Sequence, residues 1–321
     1  MRCILLCLIV SFHVSAAKVL LIESYHSEFP WDESYVEGIQ SLLRDDIELQ
    51  SIQMDTKRIP RQQYAEKAAQ AYQRYQTYQP DVVILGDDNA FAYMLPKLFD
   101  EPISIVFLGI NSNPRALLSQ YRGQAKVTGV LERPLFTRSI AEISKLFDGD
   151  DFKVKVLFDS GITSQIAKQY MVKQNTLIRT NLGVEVDIQT IDTQEKWQHE
   201  VLSAKDEGFK AIIVGLYQTL VDKQGRSVPA ASIIEWTNAY SELPIFAFWD
   251  FAVGRSKAIG GVVLFGLSQG QQAARLINQI VEHGHEQPIP IVIDHTGKAI
   301  YSEVESARWN IDMPQHWSVI E

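Results

Sequence analysis

The chain has 321 residues, 46% of them apolar and 21% charged, an ordinary globular balance that argues against intrinsic disorder. Its 30 basic side chains face 39 acidic ones, a net charge of −9, and no basic stripe interrupts that excess. Nucleic acid and anionic membrane surfaces require a concentrated positive face, so neither is expected as a partner.

Residues 1–17 read as an export signal, with Arg2 as a basic head, 4–14 as an apolar core and Ser15-Ala16-Ala17 as a small-residue cleavage site. Cleavage is expected near Ala17, which predicts a secreted protein, periplasmic if the resemblance given below holds. Both cysteines, Cys3 and Cys7, lie in this segment, so the mature chain would carry neither disulfides nor thiolate chemistry. Loss of Arg2 leaves 29 basic against 39 acidic residues, a net charge of −10. Beyond the leader no run approaches the roughly 20 apolar residues of a membrane-spanning helix.

Apolar runs predict strands at 19–22, 47–54, 82–85, 103–108, 127–130, 155–158, 184–190, 211–214, 245–248 and 261–265. Helical spacing predicts helices at 34–43, 61–78, 135–146, 163–182, 194–204, 231–241 and 269–282. Pro80 and Pro244 stand just before strands, and Gly183 follows a helix as a C-cap. Strands alternating with helices imply βαβ units and parallel sheets covered on both faces. The alternation runs before and after about residue 130, which predicts an α/β fold of two doubly wound parallel-sheet lobes.

In open α/β sheets, ligands bind beyond the carboxyl ends of the strands. Those ends carry Ser24, Tyr25, His26 and Trp31, then Asp87, Asp88 and Asn89, then Asn111. In the second half they carry Asp159 and Ser160, then Tyr217, then Trp249 and Asp250. Each end follows one pattern: an apolar strand, small or hydrogen-bonding groups, then a helix start. A single Asp or Asn in this place is usually a helix cap. Six such ends converging from two sheets predict a binding cleft.

Through SYHSEFPW, GDDNAF, FLGIN, VTGV and FWDFAVG with IGGVVLFGLSQGQQAARL, the chain resembles the periplasmic substrate-binding proteins of ABC transporters. The resemblance is to the branch that includes tryptophan- and tyrosine-binding members and related sensor-kinase input domains. It implies a type I periplasmic-binding-protein-like fold, two lobes joined by a hinge with three crossings, near 127–131, 261–265 and 287–291. Lobe one would then be 18–128 plus 264–286, and lobe two 129–263 plus 287–321. It further implies a monomer that closes on a small-molecule ligand and docks on a membrane ABC permease, or alternatively on a sensor histidine kinase or cyclase. By position, Tyr25, His26, Trp31, Asp87, Asp88, Asn89 and Asn111 would line lobe one. Asp159, Ser160, Tyr217, Trp249 and Asp250 would line lobe two.

Aromatic faces with hydrogen-bond-accepting carboxylates suit a sugar, an amine or an aromatic amino acid. Arg133 and Arg255 are the candidate partners for a ligand carboxylate. Arg255 departs from the neutral or His-containing turn of the family pattern.

Two other chemistries fit fragments of the sequence. Gly266-Leu-Ser-Gln-Gly270 matches the G-x-S-x-G elbow of a serine hydrolase, which would draw on Asp294 or Asp312 with His316. Only about fifty residues follow Ser268, a tight fit for the rest of a hydrolase sheet, and Ser268 also reads as the N-cap of a helix from Gln269. A metal site would draw on His26, Asp87 and Asp88, but no paired-His spacing supports it. There is no G-x-G-x-x-G helix start and no P-loop. The chain is therefore expected to bind without cofactor or metal and not to catalyse.

Overall fold

The computed structural model describes residues 16–121, 123–147, 149, 152–284 and 288–320. The leader expected at 1–17 lies outside the described residues but for Ala16 and Ala17.

Sheet one comprises β1 (Ala17–Glu23), β2 (Ile47–Gln53), β3 (Val82–Gly86), β4 (Ser104–Ile110) and β5 (Lys126–Leu131). Sheet two comprises β6 (Lys153–Asp159), β7 (Glu185–Ile191), β8 (Ala211–Val214), β9 (Ile245–Ala247) and β10 (Gly260–Val263). A short β11 (Val292–Ile293) returns to sheet one, whereas β12 (Lys298–Tyr301) and β13 (Ser318–Val319) complete sheet two. The strand orders are β11-β5-β4-β3-β1-β2 and β13-β12-β10-β9-β8-β6-β7. All pairings are parallel except β10 with β12. Every residue of β3 and β4 is buried, as expected of parallel strands covered on both faces. The edge strand β2 is half-exposed along its length.

Helices connect the strands: α1 (Pro30–Leu42), α2 (Tyr64–Tyr78), α3 (Asp87–Leu98), α4 (Pro114–Leu118), α5 (Phe136–Ser144) and α6 (Ile162–Val172). They continue with α7 (Asn175–Leu182), α8 (Gln194–Ser203), α9 (Ala230–Tyr240), α10 (Gly266–His283) and α11 (Glu303–Arg308). The helix expected at 163–182 is thus two helices, the second closed by Gly183 at φ 68°. The structure adds α3, which Pro96 and an Asp-Asp start disguise in a propensity reading.

The three crossings fall at 131–136, 263–266 and 293–298. Two of the expected lobe boundaries therefore move. β5 pairs with β4 as far as Leu131 and with β11 at Val130 and Leu131, so 129–131 belong to sheet one. β11 pairs with β5, so the third passage comes after Ile293 and not at 287–291. A two-residue strand is too short to register as a periodic apolar run, and this hides the return to sheet one.

α10 follows β10 of lobe two but packs on α1 of lobe one, and glycines make that possible. A Cβ on Gly270 would collide with the Tyr35 carbonyl, one on Gly38 with the Leu267 carbonyl, and one on Gly266 would come within 2.6 Å of the Trp31 carbonyl. Two of these are the glycines of the G-x-S-x-G match, so helix packing accounts for them. Gly270→Ala should destabilise the protein by about 1–3 kcal/mol through overpacking. A thermal melt reads this as a drop of several degrees; an unchanged melt would contradict the close crossing.

Candidate functional site

The carboxyl ends of both sheets meet between the lobes. β3 passes into α3 with no intervening loop, and Asp87, the first helical residue, takes φ 70°. Asp tolerates this left-handed backbone better than most residues, and such strain concentrates at functional sites. The turn aims the Asp87 carboxylate at the hydroxyl of Tyr25, which donates to Oδ1 at 3.1 Å, and the indole of Trp31, which donates to Oδ2 at 3.1 Å. Gly109, at φ 67°, sits where the pairing of β4 with β5 slips; a Cβ there would lie 3.1 Å from Asp87 Oδ2. The slip turns the backbone N–H groups of Asn111 and Ser112 onto Asp88, at 3.2 and 3.0 Å.

Contacts between the lobes close the site. Glu132, one residue beyond β5, accepts from Asn111 Nδ2 at 2.9 Å in lobe one and from Trp249 Nε1 at 2.7 Å in lobe two. The hydroxyls of Tyr25 and Thr163 lie 3.3 Å apart, and the rings of Phe29 and Phe251 are 5.6 Å apart between centroids. In lobe two Asp159 Oδ1 accepts from Gly161 N and Ser164 Oγ, and Oδ2 from Thr219 N, fixing the start of α6.

Between these contacts lies a narrow central void of about 10 Å³, room for roughly one water-sized group. Tyr25, Phe29, Trp31, Trp249 and Phe251 wall it, with Asp87 and Glu132 facing in. A cleft of about 500 Å³ opens on each side. One is lined by Thr56, Asn89, Asp159 and Ser160, the other by His26, Tyr217, Ile234 and Phe251. Lys57 borders all three spaces, with its ammonium 4.2 Å from the Tyr25 ring centroid and 4.6 Å from that of Phe29.

Burial governs the electrostatics. It pushes the Asp87 carboxyl up to about 8, with the Asp88 charge adding to the shift and Lys57 opposing it. Burial and then the Asp87 charge hold Glu132 well above the usual carboxylate range. Burial raises Asp250 to about 6 and lowers the Lys57 ammonium, which Asp159 and Asp87 partly restore.

Nine of the thirteen residues expected from the sequence border these spaces. Tyr25, Trp31, Asp87 and Trp249 wall the central void; Asn89, Asp159 and Ser160 face the first cleft; His26 and Tyr217 face the second. Ser24, Asp88, Asn111 and Asp250 stand behind the walls. Ser24 Oγ donates to Gly86 O at 2.6 Å and accepts from Ala90 N, Asp88 clamps the end of β4, Asn111 orients Glu132, and Asp250 caps Phe251 N at 2.9 Å. Sequence reasoning missed Phe29, Lys57, Glu132, Thr163 and Phe251. Phe29 and Phe251 lay inside motifs already singled out, whereas Lys57 follows β2 with no distinguishing pattern.

The residues weighed for a ligand carboxylate, a hydrolase or a metal are placed as follows. Arg133 donates to the carbonyls of Ile110, Asn111, Glu132 and Ser112, so its guanidinium serves the loop. Arg255 is exposed on a turn and borders none of the three spaces. Ser268 lies inside the first turn of α10, whose N-cap is Phe265, and donates its hydroxyl to Asp294 Oδ2, with Phe265 O 3.0 Å from the same oxygen. His316, the base a hydrolase would require, instead pairs with Glu142 at 2.8 Å. His26 Nδ1 lies 3.5 Å from Asp55, and among the described residues no group of three His, Cys, Asp or Glu is placed to hold a metal.

No protein-family model matches the chain, and no curated protein matches it in sequence. Solved structures do. The tryptophan-bound ABC domain from Streptococcus pneumonia superposes with a TM-score of 0.69 at 16% identity, covering 95% of this chain and 100% of that one. A conserved domain protein from Vibrio cholerae gives 0.66 at 14% identity, over 95% and 99%. The periplasmic binding component of an arabinose ABC transporter from Shewanella gives 0.61 at 14%, over 92% and 95%. With its two parallel sheets and three crossings, the chain has the type I periplasmic-binding-protein fold, and these neighbours include binding and transport proteins.

The raised Asp87 carboxyl has a measurable consequence. Its folded value near 8 lies above its unfolded value of 3.8, so the folded state binds the extra proton between these limits. Its contribution to stability is full below about pH 4 and is lost as pH rises through 8. The melting temperature of the empty protein should therefore fall across this window, and Asp87→Asn should flatten the fall. Parallel pH profiles for the two proteins would refute the assignment.

Proposed function

We propose that the chain is an extracytoplasmic solute-binding protein that captures a small solute between its lobes and presents the closed form to a membrane ABC permease. The observation that carries this reading is the central void, whose aromatic walls come from both lobes and are joined by Glu132 and Trp249. Such a box is complete only with the lobes together, so hinge closure would trap whatever occupies it. Its inward groups are rings and hydrogen-bonded carboxylates, which suit recognition. The flanking clefts give room for the body of a solute larger than the void. Two of its fold neighbours, an ABC domain in complex with tryptophan and the binding component of an arabinose ABC transporter, support this reading. On this account the protein acts as a monomer outside the cytoplasm.

A thermal-shift panel of amino acids, sugars, amines, nucleosides and carboxylates tests the reading. A solute at a hundred times its dissociation constant should add about 2.7 kcal/mol of stability. Trp249→Phe keeps a ring but leaves Glu132 without its indole donor, at a cost of roughly 1–3 kcal/mol. The same solute should then bind about tenfold more weakly, while Ser268→Ala should bind as wild type. A panel without any shift, or a Trp249→Phe protein with unchanged affinity, would contradict the proposal.

A further inference from the structure

We infer that the solute carries a cationic amine head, seated in the central void against Asp87 and Glu132, and that the Lys57 ammonium takes this place when the lobes close empty. The inference rests on the solute-binding reading above and specifies its chemical class.

Three observations support it. The void has the volume of one ammonium or water and is walled by five rings, whose faces attract cations. A carboxylate head there would lie against Asp87 and Glu132, two acidic groups already buried. An ammonium head would pair with the charged forms of both, which a neutral head does not.

The second observation is Lys57. Its side chain is only 8% exposed, yet among the described residues no carboxylate lies within 4 Å of its ammonium, which instead rests over the rings of Tyr25 and Phe29. The chain itself thus seats an ammonium on two walls of the box. Lys57 also borders both flanking clefts, so its four-carbon stem can swing aside into either as a solute enters.

The third is the charge balance. The charges of Asp159, Asp87, Asp32 and Glu132 all act on the Lys57 ammonium. Burial holds three of the four, Asp32, Asp87 and Glu132, above the usual carboxylate range, so in the empty box they favour the protonated form, and an ammonium between Asp87 and Glu132 would favour their charged forms instead.

The opposite role for Lys57, anchoring a solute carboxylate, predicts the opposite result on removing it. Isothermal titration of wild type and Lys57→Met would use phenethylamine, tyramine and putrescine as amines, phenethyl alcohol as a neutral match and 3-phenylpropionate as an acidic match. At least one amine should bind, its alcohol and acid counterparts should bind at least tenfold more weakly, and Lys57→Met should bind the amine several-fold more tightly. Lys57→Gln, which keeps a polar stem, should give the same direction should the Met variant fold poorly. An acid or alcohol that binds as well as the amines, or amine binding abolished in both Lys57 variants, would overturn the amine inference while leaving solute binding intact. Silence from all these probes, and from sugars and amino acids as well, would overturn both.

Discussion

One buried carboxylate joins the two lobes of this protein. Glu132 stands on the first crossing, 2% exposed, with one oxygen on Asn111 of lobe one and the other on Trp249 of lobe two. Burying a carboxylate costs several kcal/mol unless good partners offset it. Here the partners are two neutral N–H groups, so Glu132 is satisfied in geometry and poorly compensated in charge. On the proposed solute-binding reading that combination suits a latch: it orients the lobes, and opening of the cleft would return the carboxylate to water.

The remaining crossings are tied in the same way. Asp294, just past β11, accepts from Ser268, Gln269 and Thr296, joining the third crossing to the start of α10. Gln269 also accepts from Gly109 N at 3.1 Å, at the slip in β4 that positions the Asp88 loop. Hinge and site therefore share residues, and a change at the serine of the G-x-S-x-G match would be felt as hinge mechanics. The glycines around it let α10 lie against α1, anchoring the second crossing in lobe one.

Much of the fold was legible because each central strand is a continuous apolar run and each joint carries a turn or cap residue. Ten strands follow from this, and 211–214 has the same limits in sequence and structure. What the pattern could not show were elements whose identity is tertiary: the two-residue β11, the antiparallel β12, and α3 behind its Asp-Asp start. The site was legible in outline for the same reason, since strand ends are marked by polar residues after apolar runs. Which of those residues face the cleft was not. Asp87 and Asp88 are neighbours of one type, yet a positive φ turns the first into the void while a bulge in the next strand claims the second. Lys57 and Glu132 gain their meaning only from what packs around them.

The central claim is that Glu132 joins two lobes that otherwise separate. Pulsed electron spin resonance tests it directly, with spin labels on Arg61→Cys and Arg226→Cys, which stand on opposite lips of the polar cleft. The account predicts a short separation for the latched form. Glu132→Ala, which leaves the Trp249 indole without its acceptor, should move the population to a longer one. A single distance that Glu132→Ala leaves unchanged would contradict it.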